Sequence, residues 1–151
     1  MTKYEVIYDR FLRKVEDVDL PQLSDEDQIA ELTGWLNTAI SRMLLQHITL
    51  THNLKDKDDE LQYFNDDLTD REIELLALHM VVAWYEPKVS SLEHTLMYFG
   101  TKEEKFTNQK DHLNAIRNTR RAYQKEARLL ATDLDFAYND YLGNGDDINE
   151  I

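Results

Sequence analysis

The chain has 151 residues, 31% charged and 42% hydrophobic, with a formal net charge of −13 and no cysteine. That length suits one domain with a core of its own, and the missing thiols exclude a disulfide scaffold, a thiolate zinc site and a cysteine nucleophile. Thirty acids against 17 bases disfavour attraction to DNA phosphates or anionic membranes and favour solubility.

Four glycines and two prolines are too few for the turns of an all-β fold, so long helices are expected. The start, MTKYEVIYDR, lacks the basic-then-apolar order of a signal peptide. The longest apolar run, Leu75 to Trp84, is interrupted by His79 and is too short to span a bilayer. The expectation is a soluble protein of a reducing compartment, or one assembled there.

Tyr4, Ile7, Phe11, Leu12 and Val15 recur at helical spacing, which predicts a first helix over about residues 3–16. Pro21 then marks a turn, and Ser24 is the N-cap of a second helix whose first-turn acids suit the helix dipole. Ile29, Leu32, Leu36, Ala39, Ile40 and Met43 line one side of that helix as far as about Leu45, with Gly34 a weak point. In QHITLTHNL, residues 46–54, Ile48, Leu50 and Leu54 alternate with Thr49, Thr51 and Asn53. A period of two predicts an extended arm or a lone strand that pairs with another copy.

KDKDDELQYFNDDL places Asp56, Asp58 and Glu60 like the first ligands of an EF-hand loop. Leu61 stands where such a loop needs glycine, and Asp67 where it needs a bidentate glutamate. The segment reads as a solvated acidic loop.

Thr69 and Glu72 make a capping box at the start of a third helix. Ile73, Leu76, Met80 and Trp84 form one stripe, with Ala77 and Val81 beside it. Leu75, Leu78, Val82 and Tyr85 close most of the remaining circumference, leaving Glu72, His79 and Glu86 as a narrow polar seam in which His79 is structural. A helix apolar nearly all round belongs at the centre of a large core. In so short a chain, one side is expected to pack internally and another to meet a neighbouring subunit through Val81, Trp84 and Tyr85. Pro87 is expected to break or kink the helix before Val89–Tyr98 resume it.

Gly100 is the expected C-terminal cap, and a long last helix follows from about Asn108 to Leu134. Its apolar stripe is Leu113, Ile116, Tyr123, Ala127, Leu130 and Leu134. Arg120 interrupts that stripe and should be paired with an acid or a row of carbonyls. On another face Lys110, Arg117, Arg121 and Arg128 fall within about 20° of one line, as a solvated face or as a stripe that meets acidic surface on another copy. YLGNGDDINEI reads as a flexible acidic tail. The expected architecture is therefore mainly α: a bundle of four to five helices with a long C-terminal helix over residues 1–142, then a tail over 143–151.

Catalytic chemistry finds no support. His47, His52, His79, His94 and His112 form no HxxxH, HExxH or His–Asp metal spacing. No phosphate loop, GxGxxG or GxSxG is present. No catalytic residue, cofactor or metal is expected, and the chain reads as a non-enzyme.

Over about residues 60–131 the motifs FNDDLT, ALHMVVAWYEP, GTKEEKF and DHLNAIRNTRRA stand in order. In this combination the chain resembles the small head–tail connector (adaptor) proteins of tailed bacteriophages of Gram-positive hosts. That family pattern has an acidic FN-D/E-DLT start, a helix ending ALGMVVEWLNP, a GTKDF link, an NHL segment and a basic LRxLR helix. His79 departs from the small residue the family tends to have there, and Glu86 replaces the residue before the proline. The resemblance implies a non-enzymatic ring, typically of twelve copies, below the portal at the capsid vertex in the virion neck. It extends the DNA channel and presents a platform to a downstream connector, stopper or tail-completion protein. Genome DNA passes without specific binding, and the C-terminal segment commonly reaches the portal. An expectation of another class is a monomeric acidic interaction protein, such as a DNA mimic that inhibits a host enzyme; an acid-rich metallohydrolase is the weakest reading.

Overall fold

The structure, a computed structural model, describes residues 1–15, 24–97 and 104–146, except the side chains of 104–106 and 133–146. The expected turn at Pro21, the cap at Gly100 and the end of the tail lie outside the described residues. The chain runs β1 (Thr2–Lys3), α1 (Tyr4–Leu12), α2 (Asp25–Leu45), β2 (Lys57–Asp58), β3 (Tyr63–Phe64), α3 (Asp70–Leu96) and α4 (Glu104–Asp146). It is mainly helical, as the composition implies.

Helix α3 is the axis of the fold. Helices α1, α2 and α4 all pack against it, and Leu75, Leu76, Ala77, Leu78, Met80 and Val81 are each 0% exposed. Tyr4, Ile7 and Phe11 come in from α1, Leu36, Ala39 and Met43 from α2, and Ala131 from α4. Each large side chain buried in this way stabilises the fold by roughly 1.5–3 kcal/mol. From Glu72 to Trp84, where one side was expected to meet a neighbouring subunit, α3 is covered by helices α1, α2 and α4 of the same chain, while Pro87, Ser90, Ser91, Glu93 and His94 beyond it are exposed. A helix needs only three neighbours to be covered, and a small bundle with one central helix supplies them.

The N-termini follow the sequence closely. Ser24 Oγ accepts from the Asp27 amide, and Thr69 and Glu72 form the reciprocal capping box. At the other end of α2, the His47 amide donates to the Leu44 carbonyl and the Ile48 amide to the Met43 carbonyl. This is a Schellman motif with His47 in the left-handed region, φ 52°. The motif turns residues 46–54 away from α2, and they run irregularly rather than as a strand, with Leu54 fully buried. The expected extended arm is therefore anchored in the chain's own core by its last leucine.

The acidic stretch contains a hairpin that its composition conceals. β3 pairs antiparallel with β2, Lys57 opposite Phe64, and with β1, Thr2 opposite Phe64. Thr2 Oγ1 donates to the Asp66 carbonyl at 3.0 Å and accepts from the Leu68 amide at 2.9 Å, closing the N-terminus onto the start of α3. Gln62 adopts φ 62°, and its side-chain amide donates to Thr33 Oγ1 at 2.9 Å and the Asp59 carbonyl at 3.1 Å.

Pro87 neither ends nor divides α3, which runs unbroken from Asp70 to Leu96. A proline inside a helix removes one hydrogen bond, but packing holds both flanks here. Trp84 before it and Val89 after it are buried, and Lys88 Nζ lies 4.2 Å from the Trp84 ring centroid. Helix α4 also exceeds its expected limits, continuing to Asp146 through what was read as the domain boundary.

Candidate functional site

Helices α3 and α4 lie antiparallel. Arg71, in the first turn of α3, donates to the Leu130 carbonyl at 3.2 Å and the Ala131 carbonyl at 2.9 Å. Tyr85 stacks on Tyr123 at 6.3 Å between ring centroids, and Glu93 pairs with Arg117. Tyr123 Oη also donates to the Lys14 carbonyl at 3.0 Å, which fastens α4 to the end of α1.

This arrangement sorts the residues predicted for a subunit or portal interface. Val81 is 0% exposed and Trp84 7%, so both belong to the chain's own core. Tyr85 is half-buried between Trp84 and Tyr123. Arg117 forms an ion pair with Glu93 of the same chain. Lys110, Arg121 and Arg128 are exposed on α4. Arg120, expected to be paired, is half-buried with its Nε enclosed and without a hydrogen-bond partner among the described residues. The arginine that finds a row of carbonyls is Arg71, whose Nη1 also donates to the Thr49 carbonyl at 2.9 Å.

Two polar groupings emerge that sequence spacing does not reveal. In the first, Glu72 is 0% exposed. It accepts from the Thr69 amide at 2.9 Å and the His52 amide at 2.8 Å, and Oε2 lies 2.8 Å from His52 Nδ1. Burial opposes the charge of Glu72, but these hydrogen bonds outweigh it and hold the carboxyl below its ordinary range. The same bond raises the His52 imidazole above its ordinary value. The capping box was legible at three-residue spacing; its third member comes from the loop before the hairpin.

The second grouping is a cavity of about 190 Å³ between α2, α3 and α4, bordered by Arg42, Gln46, His79, Gln124 and Arg128. Val82 and Ala127 complete its wall. Arg42 is ion-paired with Glu86. His79 is 6% exposed, and its Nε2 has no hydrogen-bond partner among the described residues. Burial, with the Arg42 charge adding to it, pushes the His79 pKa down to about 4, so the ring is neutral near pH 7. Its polar seam joins two partners separately: Glu72 turns to His52, and Glu86 to Arg42.

The carboxylates of the EF-hand-like stretch serve the hairpin. Asp58 Oδ1 accepts from the Glu60 and Leu61 amides at 2.9 and 2.8 Å. Asp59 accepts from Tyr4 Oη at 2.6 Å and from Lys57. Burial works against the Asp59 charge, but donors from Lys57, Tyr4 and Asn37 outweigh it and keep the carboxyl below its usual range. Among the described residues no group of three or more His, Asp or Glu side chains is arranged to hold a metal ion. No described helix is long and apolar enough to cross a membrane.

No protein-family model, curated protein or solved structure matches the chain.

Proposed function

We propose that this chain is a structural virion protein of a tailed bacteriophage, a ring-forming adaptor between the portal and the tail-side connector. The observation that carries this reading is the placement of the resembling motifs. FNDDLT leads into the capping box, ALHMVVAWYEP carries α3 from its buried part to Pro87, and DHLNAIRNTRRA lies in α4, where Leu113 is buried and Arg117 pairs with Glu93 of α3. Two of the resembling motifs thus fall on α3 and α4, helices that pack on each other.

The charge distribution suits such a ring. A closed ring needs a heterologous interface, with two different patches on each subunit. Lys110, Arg121 and Arg128 give α4 an exposed basic face, while Asp25, Glu26 and Asp27 expose an acidic one at the start of α2. Those are the contacts we assign to neighbouring subunits or the portal, in place of Val81 and Trp84. The net charge of −13 suits a channel wall that repels phosphates and lets DNA slide.

Mass measurement across concentration, alone and with portal rings, tests the reading. The expected result is a closed multiple of the 17.9 kDa subunit, formed alone or templated on the portal. A concentration-independent monomer that ignores the portal overturns it and favours the acidic interaction protein.

A further inference from the structure

We propose that the cavity between α2, α3 and α4 is a binding site for a small oxyanion, inorganic phosphate being the simplest member of the class. Arg128 and Arg42 supply the charge, and Gln46 and Gln124 the amide donors. The cavity lies within one chain, although Arg128 also stands on the basic face of α4 assigned above to ring contacts.

Charge is the first argument. The sequence holds 30 acids, yet among the described residues none borders this cavity, which has two arginines instead. Glu86 offsets Arg42 from one side. Arg128 has no ion-pair partner among the described residues, so one positive charge faces the space uncompensated. An anion there meets local attraction in a chain whose net charge of −13 is otherwise unfavourable to it.

Size and polarity are the second. About 190 Å³ is several times the roughly 30 Å³ share of one water, enough for a tetrahedral oxyanion with residual solvent. A polar cavity of that size holds water unless a ligand displaces it, and Val82 and Ala127 form the apolar part of its wall. His79 is the third. Its ring borders the cavity more than nine-tenths buried, with Nε2 lacking a partner among the described residues. A buried polar atom without a partner marks a place where a group is still to be supplied. A guanidinium is the side chain best shaped for a bidentate oxyanion contact, and Arg128 is exposed enough to swing over the opening.

The test is a titration of the full chain with inorganic phosphate against chloride at constant ionic strength, followed by the imidazole resonances of His79 and by calorimetry. Saturable binding that shifts His79 is expected, weakened about tenfold or more by Arg128→Gln and unchanged by Lys110→Gln. Arg128 is a solvent-exposed helical residue, so its replacement leaves the fold intact. A response no greater than that to chloride overturns the proposal, as does identical binding by Arg128→Gln; the cavity then holds water alone.

Discussion

His52 Nδ1 lies 2.8 Å from Oε2 of Glu72, a carboxylate with no exposure at all. Twenty residues separate the two, and their bond ties the loop after α2 to the first turn of α3. A protonated imidazole beside an ionised carboxylate is the favoured state, and each partner's shift has a consequence for pH. The His52 pKa is raised, so its contribution is fully present below 6.5 and is lost as pH climbs through the higher folded value. The Glu72 pKa is lowered, so its contribution is present above 4.5 and is lost as pH falls through the lower folded value. The pair therefore stabilises most between pH 4.5 and 6.5. Replacing Glu72 with Ala strands the Thr69 and His52 amides and should cost at least about 2 kcal/mol at pH 6 by denaturant unfolding. His52→Ala should lose the decline of stability above neutrality that wild type shows. An unchanged pH profile in His52→Ala would refute the assignment.

His79 works in the opposite direction. Its pKa is pushed down to about 4 by burial and by Arg42, so the folded chain resists a proton that the unfolded chain takes up below 6.5. Stability is lost as pH falls from 6.5 towards 4, by about 1.4 kcal/mol for each unit of the window fully crossed. His79→Leu fills a similar volume and cannot titrate. Its stability relative to wild type should be nearly constant above pH 6.5 and improve progressively from there to pH 5, measured by urea melts; a constant difference throughout would show that the ring is not held neutral.

Val81→Asp tests the central position of α3. Val81 is 0% exposed, enclosed by the other helices of its own chain. A carboxylate there has no partner to meet it, and burying it costs several kcal/mol, a large share of the stability of a domain this size. The isolated chain should lose cooperative unfolding and its near-ultraviolet dichroism. A folded Val81→Asp chain defective only in association would return Val81 to an interface between subunits.

Helix positions were the legible part of this sequence, because caps and apolar periodicity act within a few residues of one another. Ser24 and Thr69 cap α2 and α3 as their neighbours imply. What failed depends on residues far apart. Whether an all-round apolar α3 faces a subunit or its own chain is decided by how α1, α2 and α4 close around it, and periodicity carries no such information. Pro87 has a local rule, but Trp84, Lys88 and Val89 override it through packing. The strands, two residues each, are too short to show alternation. Of the predicted interface, the basic face of α4 followed from spacing, whereas the Arg117–Glu93 pair and the Arg42–His79–Arg128 cavity required the third dimension.

Two backbone positions offer stabilising changes. Gly34 lies within α2, exposed, and a Cβ built there meets nothing within 4 Å. Gly34→Ala should therefore stabilise by about 0.8–1 kcal/mol. His47 holds φ 52° at the end of the same helix, where glycine carries no Cβ penalty. His47→Gly should add up to about 1 kcal/mol through relief of that strain. The sites are thirteen positions apart with no shared partner, so the double variant should be additive in chemical denaturation. Destabilisation by His47→Gly would mean that the imidazole makes a contact outweighing its backbone strain.

Lys110 and Arg121 separate the ring reading from its rivals. Both are exposed on the same stripe of α4 as Arg117 and Arg128, but neither takes part in the Arg117–Glu93 pair or lines the cavity. Replacing both with Glu should leave the melting temperature nearly unchanged, because exposed charges contribute little to folding. Ring formation or portal docking should be lost, since the basic face then repels the acidic patch of its neighbour. Added salt should weaken wild-type assembly only in part, as pairs enclosed in an interface are screened less than open ones. If the face bound DNA instead, the wild-type chain would bind duplex near physiological salt, with a slope of about 0.9 per phosphate contact. The net charge of −13 opposes that encounter, so no measurable duplex binding is expected by fluorescence anisotropy. Submicromolar, salt-sensitive duplex binding would sink the adaptor reading, and normal assembly by the double-Glu variant would reduce the basic face to a solvated surface.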